Sequence, residues 1–509
     1  MNLYSLPWVE IALLAPLLAS LWARWLRDPE SARRHSLIAC GLTLAAACLA
    51  WFGHLSADDA AAPRDVLLND PLFSLNDLSA PLLPLVALLY LLTALATLGA
   101  KVRRFSFSSM LVSEAILLAT LSCRHSWLLV ALLLAGTVPP LAELLMSRRP
   151  ARVYAIYMAL FAALLVGGQV LLTTAGGDPL QFNTGLLMLA AATLVRGGVF
   201  PVHSWMPDLF EHASFGTALL FVTPMVSTYA TLRLVFPIAP DWVLHVLAAL
   251  TLVTALYGAG MALVQRDARR LFAYFFLSHS SLVLFGVTMA TPVGLTAALC
   301  GWIAVSLSMA GFGLTLRAIE TRTGRLLLND FHGLVSYTPR LAALFLITGL
   351  ASIGFPGTIG FVGTELLVDG AAQTFPFAGI VIVLTAALNG LAVLYAYFRV
   401  FTGTRHEVSI DLRSRPPERF AVLVLSALIL GGGLYPQPGV ESRYRVAVQL
   451  TTQRGRSLTG EPPALVARAG GRDTVDRRSP GVAAVRPASR PGPTFHAPAS
   501  TAVRPLLDR

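Results

Sequence analysis

The stretch LVRGGVFPVHSWMP, residues 194–207, decides how the chain is read. An apolar helix here carries one arginine, Arg196, loosens at Gly197 and Gly198, and stops at Pro201. Roughly 20 apolar residues lie on either side, the length that spans a bilayer, so Arg196 falls at hydrocarbon depth beside an interrupted backbone. A charge at that depth costs about 2.5–3.5 kcal/mol on insertion scales. The freed backbone groups must face protein or water. Ion transporters build midplane sites from helices broken in this way. The plainer alternative is an arginine that snorkels to the surface or pairs structurally.

Working outward, the 509 residues are 55% hydrophobic and 13% charged, with a mean hydropathy of +0.68. These values identify a polytopic membrane protein. The formal net charge of +11 does not point to nucleic acid, because Lys and Arg sit mostly in short loops and in the last seventy residues, a topological pattern. Cys40, Cys48, Cys123 and Cys300 are scattered through apolar runs without CxxC or Cys/His spacing, so neither a metal site nor a disulfide framework is indicated. No cofactor-binding motif and no nucleophile–base constellation appears, so no catalytic site belongs to the chain itself. The first apolar run lacks a positive n-region and a small-residue cleavage site, and reads as a transmembrane helix.

Apolar runs near 6–26, 35–54, 78–100, 107–123, 125–146, 153–175, 183–207, 214–236, 242–265, 271–290, 292–317, 340–369, 376–402 and 419–437 predict about fourteen transmembrane helices in an all-α fold. Every second loop is basic: Arg24, Arg27, Arg33 and Arg34; Lys101, Arg103 and Arg104; Arg148, Arg149 and Arg152; Arg266, Arg269 and Arg270; Arg317, Arg322 and Arg325; Arg405, Arg413 and Arg415. By the positive-inside rule both termini should face outside. From about Glu441 to Arg509 the Arg, Pro, Gly, Ala and Ser content, without helical periodicity, reads as a disordered tail.

A second interruption matches the first. In LITGLASIGFPGTIGFVGTELLVDG, residues 346–370, Gly354, Pro356, Gly357, Gly360 and Gly363 spoil a continuous helix 12, and Glu365 follows at depth. Two broken helices five apart in order, each with an ionisable residue, are what an inverted repeat produces. Glycine and proline are also simply common in membrane helices.

The segments VRGGVFPVHSWMPD (195–208), YATLRLVFP (229–237), LYGAGMALVQRDARRLFAYFFLSHSSLVLFGV (256–287), GFPGTIGFVGTELL (354–367) and LGGGLYPQP (430–438), with NDLSAPLLPLVALL (76–89) before helix 3, carry a resemblance. The chain is similar to the antiporter-like membrane subunits of respiratory complex I, of the subunit M or mitochondrial subunit 4 type, and of Mrp sodium/proton antiporters. The resemblance implies N-terminal helices 1–3 (1–106), inverted five-helix repeats at 107–236 (helices 4–8) and 242–402 (helices 9–13), and helix 14 at 419–437. It also implies a row of protonatable side chains across the midplane.

This sequence departs from that row at most positions. Counting from Glu114, which matches a family glutamate on helix 4, Leu134 stands where helix 5 should carry a glutamate, and Glu143 lies over two turns further on in an interfacial position. Arg196 replaces the helix 7 lysine, and a guanidinium keeps its charge on burial where a lysine gives it up. Phe221 and Met225 stand at the helix 8 histidine or lysine, and Val305 at the helix 11 histidine. Glu365 keeps the helix 12 acid, displaced by one residue. His203 and His279 match family histidines near helix ends, and for His279 a structural role is the plainer reading.

The expected function is therefore a proton-translocating membrane subunit of an NADH-quinone oxidoreductase-type or related complex in a bacterial-type inner membrane, partnered by other membrane subunits and carrying protons or another small ion. Arg196, Glu365, Glu114, His203 and His279 are its candidate buried charges. Arg196 and Glu365 need not touch; Glu114 is the expected partner of Arg196, and water or a neighbouring subunit that of Glu365. The alternatives are a non-conducting scaffold subunit and the membrane half of an inorganic-carbon uptake system.

Overall fold

The computed structural model describes residues 7–26, 28–56, 72–97, 102, 105–403 and 415–459. Among these residues the regular elements are helical, accompanied by two isolated β-bridges. The N-terminal part holds α1 (Trp8–Ala23), α2 (Pro29–Ser56) and α3 (Leu82–Leu95), then α4 (Phe107–Ser122). Next come α5 (Ser126–Ala135), α6 (Val138–Met146), α7 (Arg152–Thr174), α8 (Pro179–Gly197) and α9 (Trp205–His212). Then follow α10 (Phe215–Val222), α11 (Val226–Ala230) and a π-helical turn (Thr231–Val235). The second half holds α12 (Asp241–Val264), α13 (Ala268–Thr288), α14 (Pro292–Thr323), α15 (Pro339–Ser352), α16 (Ile359–Thr374), α17 (Ala378–Phe401), α18 (Pro416–Leu434) and α19 (Gln437–Thr459).

Nine helical segments among the described residues are long and apolar enough to cross a membrane, and four shorter helices are also apolar. The expected fourteen crossings count interrupted helices, such as α15 with α16, as one each. The bundle is layered. The most apolar windows of α13, of 215–235 and of α14 are 94%, 89% and 83% buried, against 28% in α7 and 33% in α17, so the first three form the centre and the last two face outward. Helices approach closely where side chains vanish: a Cβ at Gly168 would lie 2.8 Å from the Gly185 carbonyl, which lets α7 lie against α8.

The two breaks are built alike. Gly198 ends α8 at φ +69°, with its N–H on the Val195 carbonyl (3.1 Å) and the next N–H on Leu194 (3.0 Å). Gly354 follows α15 at φ +83°, with its N–H on Ala351 (3.3 Å) and the next on Leu350 (3.2 Å). Both are Schellman caps, which need a residue free to adopt positive φ. A third interruption lies between α10 and α11, where Met225 has φ +49°. Its freed carbonyls are satisfied by α14: Ser306 Oγ donates to Thr223 (2.9 Å) and Trp302 Nε1 to Pro224 (3.0 Å).

Two expectations are corrected. The stretch from Glu441 is helical as far as Thr459, because Val446, Ala447 and Leu450 form an apolar stripe that its low mean hydropathy conceals. That stripe packs on α14, Arg443 donates to the Asp77 carbonyl (3.0 Å), and Arg454 pairs with Asp241 (2.6 Å). Residues 460–509 of the expected tail lie outside the described residues. Arg317, taken as a loop charge, is buried inside α14, which continues to Thr323. Several other loop arginines are paired rather than free in solvent: Arg269 meets Glu320 (2.8 Å), Arg270 meets Glu211 (2.9 Å) and Arg325 meets Asp267 (2.6 Å). These pairs draw the ends of α9, α13 and α14 to one face of the bundle.

Candidate ion path in the membrane interior

Arg196 is 6% exposed and lies within the last turn of α8. Its Nη2 donates to the Phe221 carbonyl (3.2 Å), and the guanidinium carbon sits 3.8 Å from the Phe221 ring centre and 5.8 Å from that of Trp205. Trp205 is held by its own Nε1 on the Val195 carbonyl (2.9 Å), and Tyr154 stands edge-on to both rings. A desolvated cation–π contact gives about 2 kcal/mol and a hydrogen bond to a charged group about 1.5–3 kcal/mol. Together they offset an insertion cost of about 2.5–3.5 kcal/mol, so the site holds a permanent charge without a carboxylate. Among the described residues no carboxylate pairs with Arg196.

Phe221 thus acquires a role that sequence reasoning missed. At the place where the resemblance implies an ionisable side chain, it supplies both a ring face and a carbonyl to the arginine of α8. The two departures from the family row are one unit. The signal lay in their co-occurrence.

Glu114, on α4, does not meet Arg196, which corrects that expectation. Its carboxylate is fully buried and accepts the thiol of Cys40 on α2 (3.2 Å), while Oε1 has no hydrogen-bond partner among the described residues. Tyr90 on α3 is buried within electrostatic reach of it. Tyr90 also lines a cavity of about 50 Å³, together with Ser109, Thr217, Leu220, Phe221 and Arg196. Glu114 and Arg196 are therefore neighbours of one aromatic residue rather than of each other. Glu143 is half-buried at the end of α6, where it accepts the Ser214 N–H (2.6 Å) and the Thr217 hydroxyl and so caps α10.

His203 lies in the break between α8 and α9. It is 8% exposed, packs against Phe200, Tyr257 and Tyr274, and its Nδ1 has no hydrogen-bond partner among the described residues. The adjoining backbone is anchored by the Phe200 N–H on Thr254 Oγ1 (3.0 Å). His279, on α13, bonds through Nδ1 to the Phe275 carbonyl (2.8 Å) and faces the carbonyl of Ser352, the last residue of α15. It lines a second cavity of about 40 Å³ with Val305, Ser352, Gly360, Gly363 and Thr364. One turn of α13 is polar: Ser278 donates to Ala255 (2.7 Å) and accepts from Asn389 of α17 (2.9 Å). Asn389 carries another orphaned buried oxygen, Oδ1, and sequence reasoning passed over it as a lone amide in an apolar run.

Glu365 does not join these groups. It is exposed on the outer face of α16, four residues before exposed Asp369, while Thr364 and Gly363 face the second cavity. A shift of one residue turns a helical side chain by about 100°. The one-residue displacement that the resemblance implies for this acid is thus enough to separate an inward position from the exposed one that Glu365 takes.

The described residues contain no group of three or more His, Cys, Asp or Glu side chains placed to hold a metal, and the four cysteines are free thiols. A polytopic bundle with two identically capped helix breaks beside buried ionisable side chains is the build of a membrane ion-transport subunit. The comparisons agree. Residues 153–389 match the family described as NADH:quinone oxidoreductase/Mrp antiporter, transmembrane. F(420)H(2) dehydrogenase subunit M of Methanosarcina mazei is 30% identical over 256 residues, 48% of this chain and 51% of the relative. A chain of respiratory complex I from Thermus thermophilus superposes with a TM-score of 0.76 at 23% identity, over 88% of this chain and 99% of that one. A chain of the Mrp complex from Dietzia sp. superposes with a TM-score of 0.77 at 19% identity, over 89% and 98%. Over residues 153–389 the chain is therefore similar to this family of antiporter-like membrane subunits, whose fold it shares. The chain spans about half the length of the curated relatives it matches first.

Proposed function

We propose that the chain is a proton-translocating, antiporter-like subunit of a hetero-oligomeric membrane complex of NADH-quinone oxidoreductase type, working with a reduced set of titratable groups. Glu114, His203 and His279 carry protons, Arg196 is a fixed charge, and Glu365 faces a neighbouring subunit. The observation that carries this reading is Glu114: a wholly buried carboxyl with one oxygen unpartnered and no cation beside it among the described residues, which a purely structural role does not require. The matched caps at Gly198 and Gly354 support inverted repeats at 107–236 and 242–402. The alternation of basic loops supports termini on the outside of an inner membrane.

A scaffold without conduction is the second reading, favoured by the apolar side chains of Leu134, Phe221, Met225 and Val305 at positions where the family row is ionisable. Reconstitution of the assembled complex in proteoliposomes separates the two. Conduction predicts wild-type proton flux that falls at least about tenfold in Glu114→Gln, a change that removes titration and leaves shape. A wild type without flux establishes the scaffold. Flux untouched by Glu114→Gln removes Glu114 from the path.

A further inference from the structure

We propose that the cavity beside Arg196 is a binding site for one small monovalent anion. The guanidinium is buried, so a neighbouring subunit has no access to supply a carboxylate, and none of the described residues supplies one. Among the described residues only one of its N–H groups is committed, to the Phe221 carbonyl. The cavity it borders, about 50 Å³ open to the centre of a water molecule, exceeds several-fold the ~10–15 Å³ that one water needs.

The hydroxyls around it divide into two sets. Ser113 donates to the Ser109 carbonyl (2.9 Å), Thr120 to the Ile116 carbonyl (2.7 Å) and Thr217 to Glu143, so these three donors are spent. Ser109 Oγ and Tyr90 Oη make no hydrogen bond among the described residues, and Tyr90 also lies within electrostatic reach of Glu114, so the site takes up an anion with Glu114 protonated. A fixed cation, two uncommitted hydroxyl donors and apolar walls form the donor set of a small-anion site, since each remaining group offers a proton and a low-dielectric wall strengthens the attraction. A cation carrier such as hydronium meets the wrong sign there. Phe105 lines both this cavity and a wide vestibule of about 790 Å³ whose wall carries Arg149, Arg269, Arg317 and Arg325 together with Glu143, Glu211 and Glu320.

The test uses the full chain in lipid nanodiscs and needs no proton flux, so its outcome is independent of the function proposed above. Thermal unfolding midpoints are measured while sodium gluconate is replaced by sodium chloride or sodium nitrate at constant ionic strength. A saturable rise in midpoint with either anion is expected, because a ligand bound only by the folded state stabilises it. Arg196→Gln should abolish the rise, and Arg196→Lys should keep it with a shifted half-saturation. If Arg196→Gln does not fold, the double variant Tyr90→Phe/Ser109→Ala decides: half-saturation at least tenfold higher supports the site. No difference from gluconate in the wild type, or an unchanged response in the variants, overturns it.

Discussion

The two broken helices begin with the same cap and end in different chemistry. At the first, α8 delivers Arg196 into a ring of aromatics and the adjoining cavity carries hydroxyls. At the second, α15 delivers the Ser352 carbonyl to His279, and the cavity between them is walled by Val305 and glycines. The first break holds a fixed charge, Arg196, with the His203 ring close by in sequence; the second holds the His279 ring, with no charged side chain among the described residues that line its cavity. The helix cap is therefore a backbone property that survives exchange of side chains. The ionic content of the break is a separate property, set by which residue types the neighbouring helices offer.

The sharpest way to break the comparison is to attack the backbone of one half. A Cβ at Gly360 would lie 2.0 Å from the Ala351 carbonyl, whereas the first break has no equivalent clash at Gly197, where the nearest atom is the flexible end of Leu284 at 3.2 Å. Gly360→Ala should lower stability by more than ~3 kcal/mol, at the severe end of single substitutions, because backbone must move. Gly197→Ala should cost less than ~1.5 kcal/mol, within reach of side-chain repacking. Unfolding midpoints of both variants in the same detergent check the order, and equal losses would mean that the two breaks do not differ in rigidity.

A smaller effect sharpens the ionic side. Phe221→Leu keeps the carbonyl that accepts from Arg196 and removes the ring, so it should cost about 2 kcal/mol from the lost desolvated cation–π contact. Combined with Arg196→Leu the two changes should be strongly non-additive, since the ring no longer has a cation to face. A double-mutant cycle on unfolding free energies measures this, and additivity would show that Phe221 is only packing.

What the residues disclosed and what they withheld follows from length scales. The bundle was legible because some 20 consecutive apolar residues signal a crossing regardless of partners. The breaks were legible because Gly198 with Pro201, and Gly354 with Pro356, act within one turn. The helix over 441–459 was hidden because its apolar stripe is narrow and interspersed with arginines, so composition spoke louder than periodicity. Partnerships across the bundle were hidden as well. Cys40 and Glu114 are 74 residues apart and Arg269 and Glu320 are 51 apart, and neither spacing carries a local pattern. Arg196 read as a charge in need of an acid, because sequence shows a charge but not the aromatic faces that three other helices fold around it.

The smallest expected effect concerns the one acid that the second break retains. Glu365 lies on the outer face of α16 with Phe361 and Asp369 exposed beside it, and Thr364 takes the inward direction. For the isolated chain, Glu365→Gln should therefore change stability by no more than ~0.5 kcal/mol, as for a surface position with no committed partner. In the reconstituted complex it should leave proton flux within about twofold of wild type, in contrast to Glu114→Gln. What it should change is assembly: a carboxylate on an outward face at bilayer depth is tolerated where a neighbouring helix supplies a donor or cation, and losing its charge weakens that contact. Co-purification of the neighbouring subunits from membranes solubilised in mild detergent reads this directly. Flux abolished with assembly intact would put the outer face of α16 on the ion path, and would make the second half of the molecule the ionic one and the first its structural counterpart.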